Sequence, residues 1–523
     1  MAKRAIALIL SSCAITAAQT NVLTGNYSND RANANLQETV LTTANVEPVN
    51  FAKLGSFPVD GQIFAQPLYV SQLLISGRGA YNVVYAVTQH NSVYAYDADS
   101  AIAPRLLWHV NLGPSVPSTT FGAGYTDIAP EIGILSTPVI DLQRGAIYVT
   151  AATFENGSVV YRLHALDLLT GAEKLNGPTV ISASVKGTGV GGVTGGTIPF
   201  DPLWHIQRPA LLLANDAVYV AFGSHGDAGP WHGWMVSYNA SDLSRRSALF
   251  MASPNGWGGA IWQSGAGPAA DSTGAVYAIS GNGSYDGLTE LSESVLKFNS
   301  DLSVSGWATP PNWSVLALND YDLSAGPALI PGTHSIVAGD KYGQLYFIDG
   351  DALAPFASGQ SGNAQIIQGV QFGGIFNFAL WPTGNGTNVY LQEQGSSVIA
   401  YQIAGGGLNA TPVGETAPTG AAIPYVGMAI SANGSAPGSG ILWETTGNRS
   451  DPTLPATLHA FDAGNLTDEI WNSDMTGGAD SVGMFAKYAN PTVANGKVFV
   501  PTWSGVLTVY GLRERPKGRP IVR

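Results

Sequence analysis

The sequence predicts an all-β fold: a single eight-bladed β-propeller of four-stranded antiparallel blades. Three observations predict it. The composition favours strands and tight turns, with 64 Gly, 31 Pro and 10% aromatic residues against only 11% charged ones. One structural unit recurs eight times along the chain. A lone strand, Phe51 to Gly61, precedes the first unit and has no partner beside it. No stretch combines sustained 3.6-residue apolar periodicity with helix caps, which argues against an α/β sheet.

The unit is clearest between Ile261 and Asp286, where a turn-rich approach (SGAGP) leads into a strand (AVYAISG) and then a polar loop beginning at Asn282. Its first strand lies near Pro67, Pro138, Pro209, Pro268, Pro327, Pro382, Gly427 and Pro491 in successive copies. Second strands follow as VVYAV, AIYVT, AVYVAF, AVYAIS, SIVAG, NVYLQ, ILWET and KVFVP. Third strands end at Asp97, Asp167, Asn239, Asn299, Asp349, Gln402, Asp462 and Gly511. A fourth, outer strand carries Trp in two copies, at Trp108 and Trp471, and the last copy has none because the chain runs out. Phe51 to Gly61 is expected to supply that missing outer strand and close the ring, which removes free sheet edges. Two packed sandwiches are the alternative, and they need no such orphan strand.

The flanks divide the chain further. Lys3 and Arg4, an apolar run and the small residues at 16–18 form a signal-peptide pattern over 1–18, cleaved near Ala18, which implies a secreted or periplasmic protein. No other segment is long and apolar enough to span a membrane. The only cysteine, Cys13, lies inside that signal, so the mature chain has neither disulfide nor thiol chemistry. Residues 19–50 read as an extended arm or edge covering, 51–512 as the propeller, and 513–523 as a solvated basic tail. A formal net charge of −13 excludes a nucleic-acid groove. Oligomeric state is not legible.

Antiparallel meanders place the loops between strands two and three, and the loops entering strand one, at one end of each blade. That face gathers His90 and Asn91 from blade one and Asp127, Glu131 and Glu155 from blade two. Blade three adds His205, Arg208, His225, Asp227 and His232; blade four adds Trp262, Ser264, Asn282 and Asp286. Asp320, Asp322, Asp340 and Lys341 follow from blade five, and Glu393, Arg449 and Trp503 from later blades. Asn215-Asp216, Gly274 and Asn495-Gly496 on the other face read as plain turns. The three imidazoles of blade three, near Glu131, are enough for a transition metal or a general base, although their spacing matches no known metal motif. The glycine-rich run from Gly187 to Gly196 opens no helix and reads as a flexible loop.

The third-strand endings resemble the tryptophan-docking repeats of the quinoprotein (pyrroloquinoline quinone-dependent) alcohol dehydrogenases, Ala-x-Asp-x-x-Thr-Gly-x-x-x-Trp. LHALDLLTGAEK matches through Thr170-Gly171 but lacks the Trp, and AFDAGNLTDEIW carries Trp471 one residue late. The resemblance covers most of the chain after Asn50. It implies that Trp262 carries the quinone, that Lys341, in an Asp340-Lys341-Tyr-Gly stretch, contacts it, and that Arg208 and His225 border the cofactor. It implies that Asn282, in a Gly-Asn-Gly turn, and Glu155 ligate calcium, and that Asp320 or Asp322 is the catalytic base. The residue types suit the chemistry: oxygen donors for a hard cation, a carboxylate for a hydroxyl proton, a lysine for negative charge on the reduced cofactor. Adjacent cysteines and a Cys-x-x-Cys-His haem motif, which the family uses around the cofactor and for electron exit, are absent. Asn282 also falls in a sequon. Two functions follow: oxidation of a small alcohol or sugar with pyrroloquinoline quinone and calcium, or a cofactor-free propeller that binds carbohydrate or a protein partner.

Overall fold

The computed structural model describes residues 20–122, 124–353, 364–369, 371–393, 397–420, 425–448 and 454–513. The expected signal segment, most of the basic tail and Arg449 lie outside these residues. The fold is the eight-bladed propeller, with eight sheets of four or five strands in sequential order. Blade one, for instance, runs Leu68–Ile75, Gly79–Val87, Ser92–Asp97 and Leu106–Asn111 from the innermost strand outwards. Helix is nearly absent among the described residues. A short α-helix, Trp313–Leu318, sits between blades four and five, and no helix is long and apolar enough to cross a membrane.

Closure occurs as the orphan strand predicts. Phe51–Pro58 pairs antiparallel with Val506–Leu512, from Phe51 opposite Leu512 to Pro58 opposite Val506, and becomes the outer strand of blade eight. Phe51 is fully buried at the seam with blade seven. Its ring stands edge-on to Trp471 at 5.0 Å and also meets Trp443 at 5.5 Å, so the closing strand is held by a large aromatic surface as well as by its ladder.

Local rules explain why the repeat recurs. Six of the eight third strands end in Asp or Asn, whose side chain can bond a backbone N–H two residues on and bend the chain toward the fourth strand. Asp167 accepts from Leu169 N and Thr170 Oγ1, Asp97 from Asp99 N, and Asp462 from Gly464 N. The Thr-Gly that follows is a docking surface for the neighbouring blade. Trp108 of blade one donates its indole N–H to Leu168 O at 2.9 Å and lies against Gly171, where a Cβ would come within 2.7 Å of the ring. The Trp absent from that repeat's own end is therefore supplied by the adjacent blade.

Residues 20–41 form the expected extended arm, but it runs inside the ring instead of over an edge. Its backbone and side chains bond the innermost strand of every blade in turn. Val22 exchanges hydrogen bonds with Tyr69 of blade one, and Leu23 O accepts from Ile140 of blade two. Arg31 Nη2 donates to Leu211 O, beside the innermost strand of blade three, and Asn29 O accepts from Ala270 of blade four. Asp30 O, Ala32 O and Asn33 O accept from Leu329, Leu380 and Ile430 of blades five to seven. Asn35 Nδ2 completes the circuit on Val493 O of blade eight. Inner strands otherwise present unpaired backbone groups to the axis, and the arm satisfies them. Arg31, 1% exposed, also donates to Pro268 O, Thr24 Oγ1 and Gly25 O.

Two measurements check this account. Phe51→Ala leaves a cavity at the closing seam and is expected to cost about 3–5 kcal/mol in chemical denaturation. Arg31→Ala orphans carbonyls on blades three and four and is expected to cost about 3 kcal/mol or more, whereas Val49→Ala, on an exposed valine, should be neutral.

Candidate functional site

A cavity of about 280 Å³ opens at the end of the axis away from those plain turns. Apart from Ile206 and Ser224, which lie in strands, its lining residues come from loops entering a first strand, loops between strands two and three, or the connection between blades one and two. Arg208 enters before blade three, Trp262 before blade four and Asp320 and Asp322 before blade five, while Asn282 and Lys341 sit in the second-to-third loops of blades four and five. Six of the eight predicted site residues thus line one cavity.

At its centre is an ion-paired cluster. Lys341 Nζ lies 2.6 Å from Asp320 Oδ1 and 2.6 Å from Asp322 Oδ1, and 5.2 Å from the centre of the Trp262 ring. Trp262 Nε1 donates to Asp322 Oδ2 at 2.8 Å, and Asn282 Nδ2 donates to Asp320 Oδ1 at 2.8 Å. Asn282 Oδ1 is buried and has no hydrogen-bond partner. Glycine at 281 makes room for Asp322, since a Cβ there would come within 2.4 Å of its Oδ2. Burial pushes the Asp322 carboxyl up to about 6, against the pull of Lys341 and with the push of Asp320. Burial acts against the Lys341 ammonium, but Asp322 and Asp320 outweigh it and hold its pKa above the ordinary lysine value. Behind the cluster Glu293, fully buried, accepts from Leu323 N, and burial and then Asp322 hold its carboxyl well above the usual range.

The remaining wall is aromatic and cationic. Trp262 faces Phe376 at 6.1 Å and Tyr488 at 6.0 Å, and Tyr425 closes against both of these rings at 5.2 and 4.8 Å. The Arg208 guanidinium lies 4.9 Å from the Tyr488 ring and 5.2 Å from that of Phe64, and Nη2 donates to Lys487 O. Lys487 Nζ pairs with Asp127, from the connection between blades one and two. Asp320, Asp227 and Tyr488 all adopt left-handed backbone conformations, with φ of 57°, 56° and 60°. Such strain in non-glycine residues gathers where packing holds side chains in a set arrangement.

The other two predicted site residues lie elsewhere. Glu155 ends the second strand of blade two and is gripped by Arg162 Nε and Nη2, both at 2.8 Å; that pairing, then Thr153, lowers its carboxyl to about 2. It is not in the cavity wall. His225 is 1% exposed and stacked on Phe121 at 4.0 Å, outside the cavity lining. The imidazole trio does not form a metal site. His205 Nδ1 is bonded to Asp201 O and its Nε2 accepts from His232 N and Trp234 Nε1, while His232 spends both nitrogens on Ser253 Oγ and Val190 O. Among the described residues no group of three or more His, Cys, Asp or Glu side chains is arranged to hold a metal ion. Asn282, 7% exposed with its amide bonded to Asp320, leaves no room for a glycan.

Sequence reasoning missed Phe376, Tyr425, Lys487 and Tyr488, all in the entry loops of blades six to eight. A signal existed for one of them: Phe376 stands six residues before Pro382, as Trp262 stands six before Pro268.

No family model matches the chain, and no curated protein matches it by sequence. Solved structures share the fold. A europium-containing methanol dehydrogenase aligns with a TM-score of 0.50 at 15% identity, over 92% of this chain and 81% of that one. BamB from Moraxella catarrhalis aligns with a TM-score of 0.48 at 14% identity over 89% and 99%, and Saccharomyces cerevisiae Sqt1 with 0.48 at 11% over 88% and 99%. The likeness is one of fold alone, the β-propeller.

Burial, reinforced by His205, lowers the His225 pKa to about 3, so the folded protein holds this ring neutral while the unfolded chain protonates it below its ordinary value of 6.5. The unfolded state thus binds the extra proton between these values, and the ring subtracts stability as pH falls from 6.5. His225→Phe, which removes the buried titratable ring, is expected to raise the melting temperature more at pH 5 than at pH 8. A pH-independent difference between the two proteins contradicts a buried neutral imidazole.

Proposed function

We propose that the axial cavity binds a small polyhydroxylated molecule, an alcohol or a sugar, and that Asp322 accepts the hydrogen bond of a bound hydroxyl. The observation that carries this reading is the setting of Asp322. Its side chain is 3% exposed and is held by Trp262 and Lys341 in the wall of a cavity whose neighbouring surfaces are aromatic rings. Sugar rings present C–H faces that pack on aromatic side chains and hydroxyls that pair with carboxylates, amides and cations. This cavity offers all of these: Trp262, Phe376, Tyr425 and Tyr488 for the apolar faces, Asp322, Asn282 and Arg208 for the hydroxyls. A carboxyl that titrates near 6 is also suited to take a hydroxyl proton at neutral pH. The basic and then apolar start of the sequence supports a secreted or periplasmic location for this activity.

Oxidation of the bound hydroxyl is the second reading, and the convergence of Trp262, Asn282, Asp322 and Lys341 on one cavity favours it. The residues suit the quinone itself, because Trp262 offers an indole while Lys341 and Arg208 offer cations to a planar cofactor bearing carboxylates. Bound there, pyrroloquinoline quinone supplies a two-electron acceptor for the carbinol carbon. The chain's own residues bind and orient the alcohol, and Asp322 receives its proton. Calcium does not fit in the same way. Glu155 is committed to Arg162, and Lys341 Nζ fills the point that Asp320 and Asp322 share.

Titrating the full-length protein with a panel of monosaccharides and polyols, read by calorimetry and tryptophan fluorescence, tests the first reading. Saturable binding is expected, strengthening as pH rises through about 6 where Asp322 ionises. Asp322→Asn is expected to weaken it about tenfold, the worth of a hydrogen bond to a buried charge. No binding by any member of the panel at millimolar concentration ends this reading. Adding the quinone and following dye reduction with the ligands that bind decides the second.

A further inference from the structure

We infer that Lys341 takes the place of a metal ion in this cavity: its ammonium is the built-in cation shared by Asp320 and Asp322, and the pocket operates without a bound divalent or trivalent metal. The argument is one of space and charge. Hard cations sit about 2.3–2.6 Å from carboxylate and amide oxygens. Lys341 Nζ already stands 2.6 Å from one oxygen of each aspartate, so a metal ion bridging the same two oxygens would collide with it. The lysine cannot easily vacate that point. Its backbone N–H is bonded to Asp322 O at 3.1 Å, its ammonium lies beside the Trp262 ring, and Trp262 Nε1 holds Asp322 Oδ2 at 2.8 Å.

The oxygens around the ammonium nevertheless form a set fit for a hard cation. Asp320 and Asp322 contribute two carboxylates from one entry loop, and Asn282 holds Asp320 through its Nδ2 while its amide oxygen is buried without a hydrogen-bond partner, so a half-turn of the amide presents that oxygen on the side of the carboxylates. Removing the ammonium leaves two carboxylates with a deficit of positive charge, and the Asn282 amide, turned over, supplies a third oxygen donor. The same side chain that excludes a metal thus keeps the acidic loop of blade five neutralised. The inference goes beyond the sugar-binding reading and does not depend on it.

The test uses metal alone on the full-length protein. Melting temperature is measured in EDTA and in millimolar calcium, and terbium emission sensitised by the adjacent Trp262 indole is titrated at micromolar metal. The wild-type melting temperature is expected to be the same in EDTA and calcium, with no saturable emission. Lys341→Met, which keeps the aliphatic stem and drops the charge, is expected to gain saturable emission and a calcium-dependent rise in melting temperature. Asn282→Ala or Asp322→Asn in that background should remove the gain, which separates the site from other acidic groups on the surface. Lys341→Arg, still cationic, should remain metal-free. The inference is overturned if EDTA lowers the wild-type melting temperature, if wild type takes up terbium as tightly as Lys341→Met, or if a folded Lys341→Met takes up none. Should Lys341→Met not fold, the EDTA comparison on wild type and Lys341→Arg decides alone. Sugar binding is read on the wild-type protein in the separate titration above, without added metal, so the two failures are distinguishable.

Discussion

Everything at the axial cavity depends on the pairing of Phe51–Pro58 with Val506–Leu512. That ladder joins segments some 450 positions apart and turns a row of sheets into a ring. Only a ring brings Asp127, Arg208, Trp262, Lys341, Tyr425 and Tyr488 to one opening, since the loops that carry them belong to different blades. The aromatic seam of Phe51, Trp443 and Trp471 makes the joint hydrophobic as well as hydrogen-bonded.

The arm solves a second problem that closure creates. Eight inner strands facing an axis leave the backbone groups that point toward it without partners, and water is poorly placed to satisfy them all. By visiting the blades in sequence from Tyr69 to Val493, the arm ties neighbours together through a shared strand of chain and fills one end of the axis. The other end stays open as the cavity. Rigid packing behind the site and irregular loops in front of it are therefore consequences of the same geometry.

Charge in the cavity is arranged by burial against pairing. Desolvation drives Asp322 and Glu293 toward their neutral forms, while Lys341 keeps at least one negative charge in reach of a ligand. Lys487 with Asp127 and Arg208 over Tyr488 extend the same pattern around the wall. Left-handed backbone at Asp320, Asp227 and Tyr488 is the conformational cost of aiming these groups inward.

The sequence by itself determined the blades, their order and the closing strand, because strand alternation, Asx turns and the orphan segment are local patterns that composition and spacing record. Six of the eight residues it singles out line the one cavity, since loop position within a repeat decides which end of the blade a residue occupies. Tertiary structure alone decided the rest. Glu155 sits at a loop tip of the correct end, yet Arg162 on the facing strand claims it, and cross-strand partners depend on register. His225 is drawn under the surface by Phe121, from a distant connection. The course of the arm was invisible for a similar reason: its polar Asn-rich residues look solvated until eight inner strands surround them with unpaired backbone groups. Where long-range partners compete for a side chain, local pattern has no access to the winner.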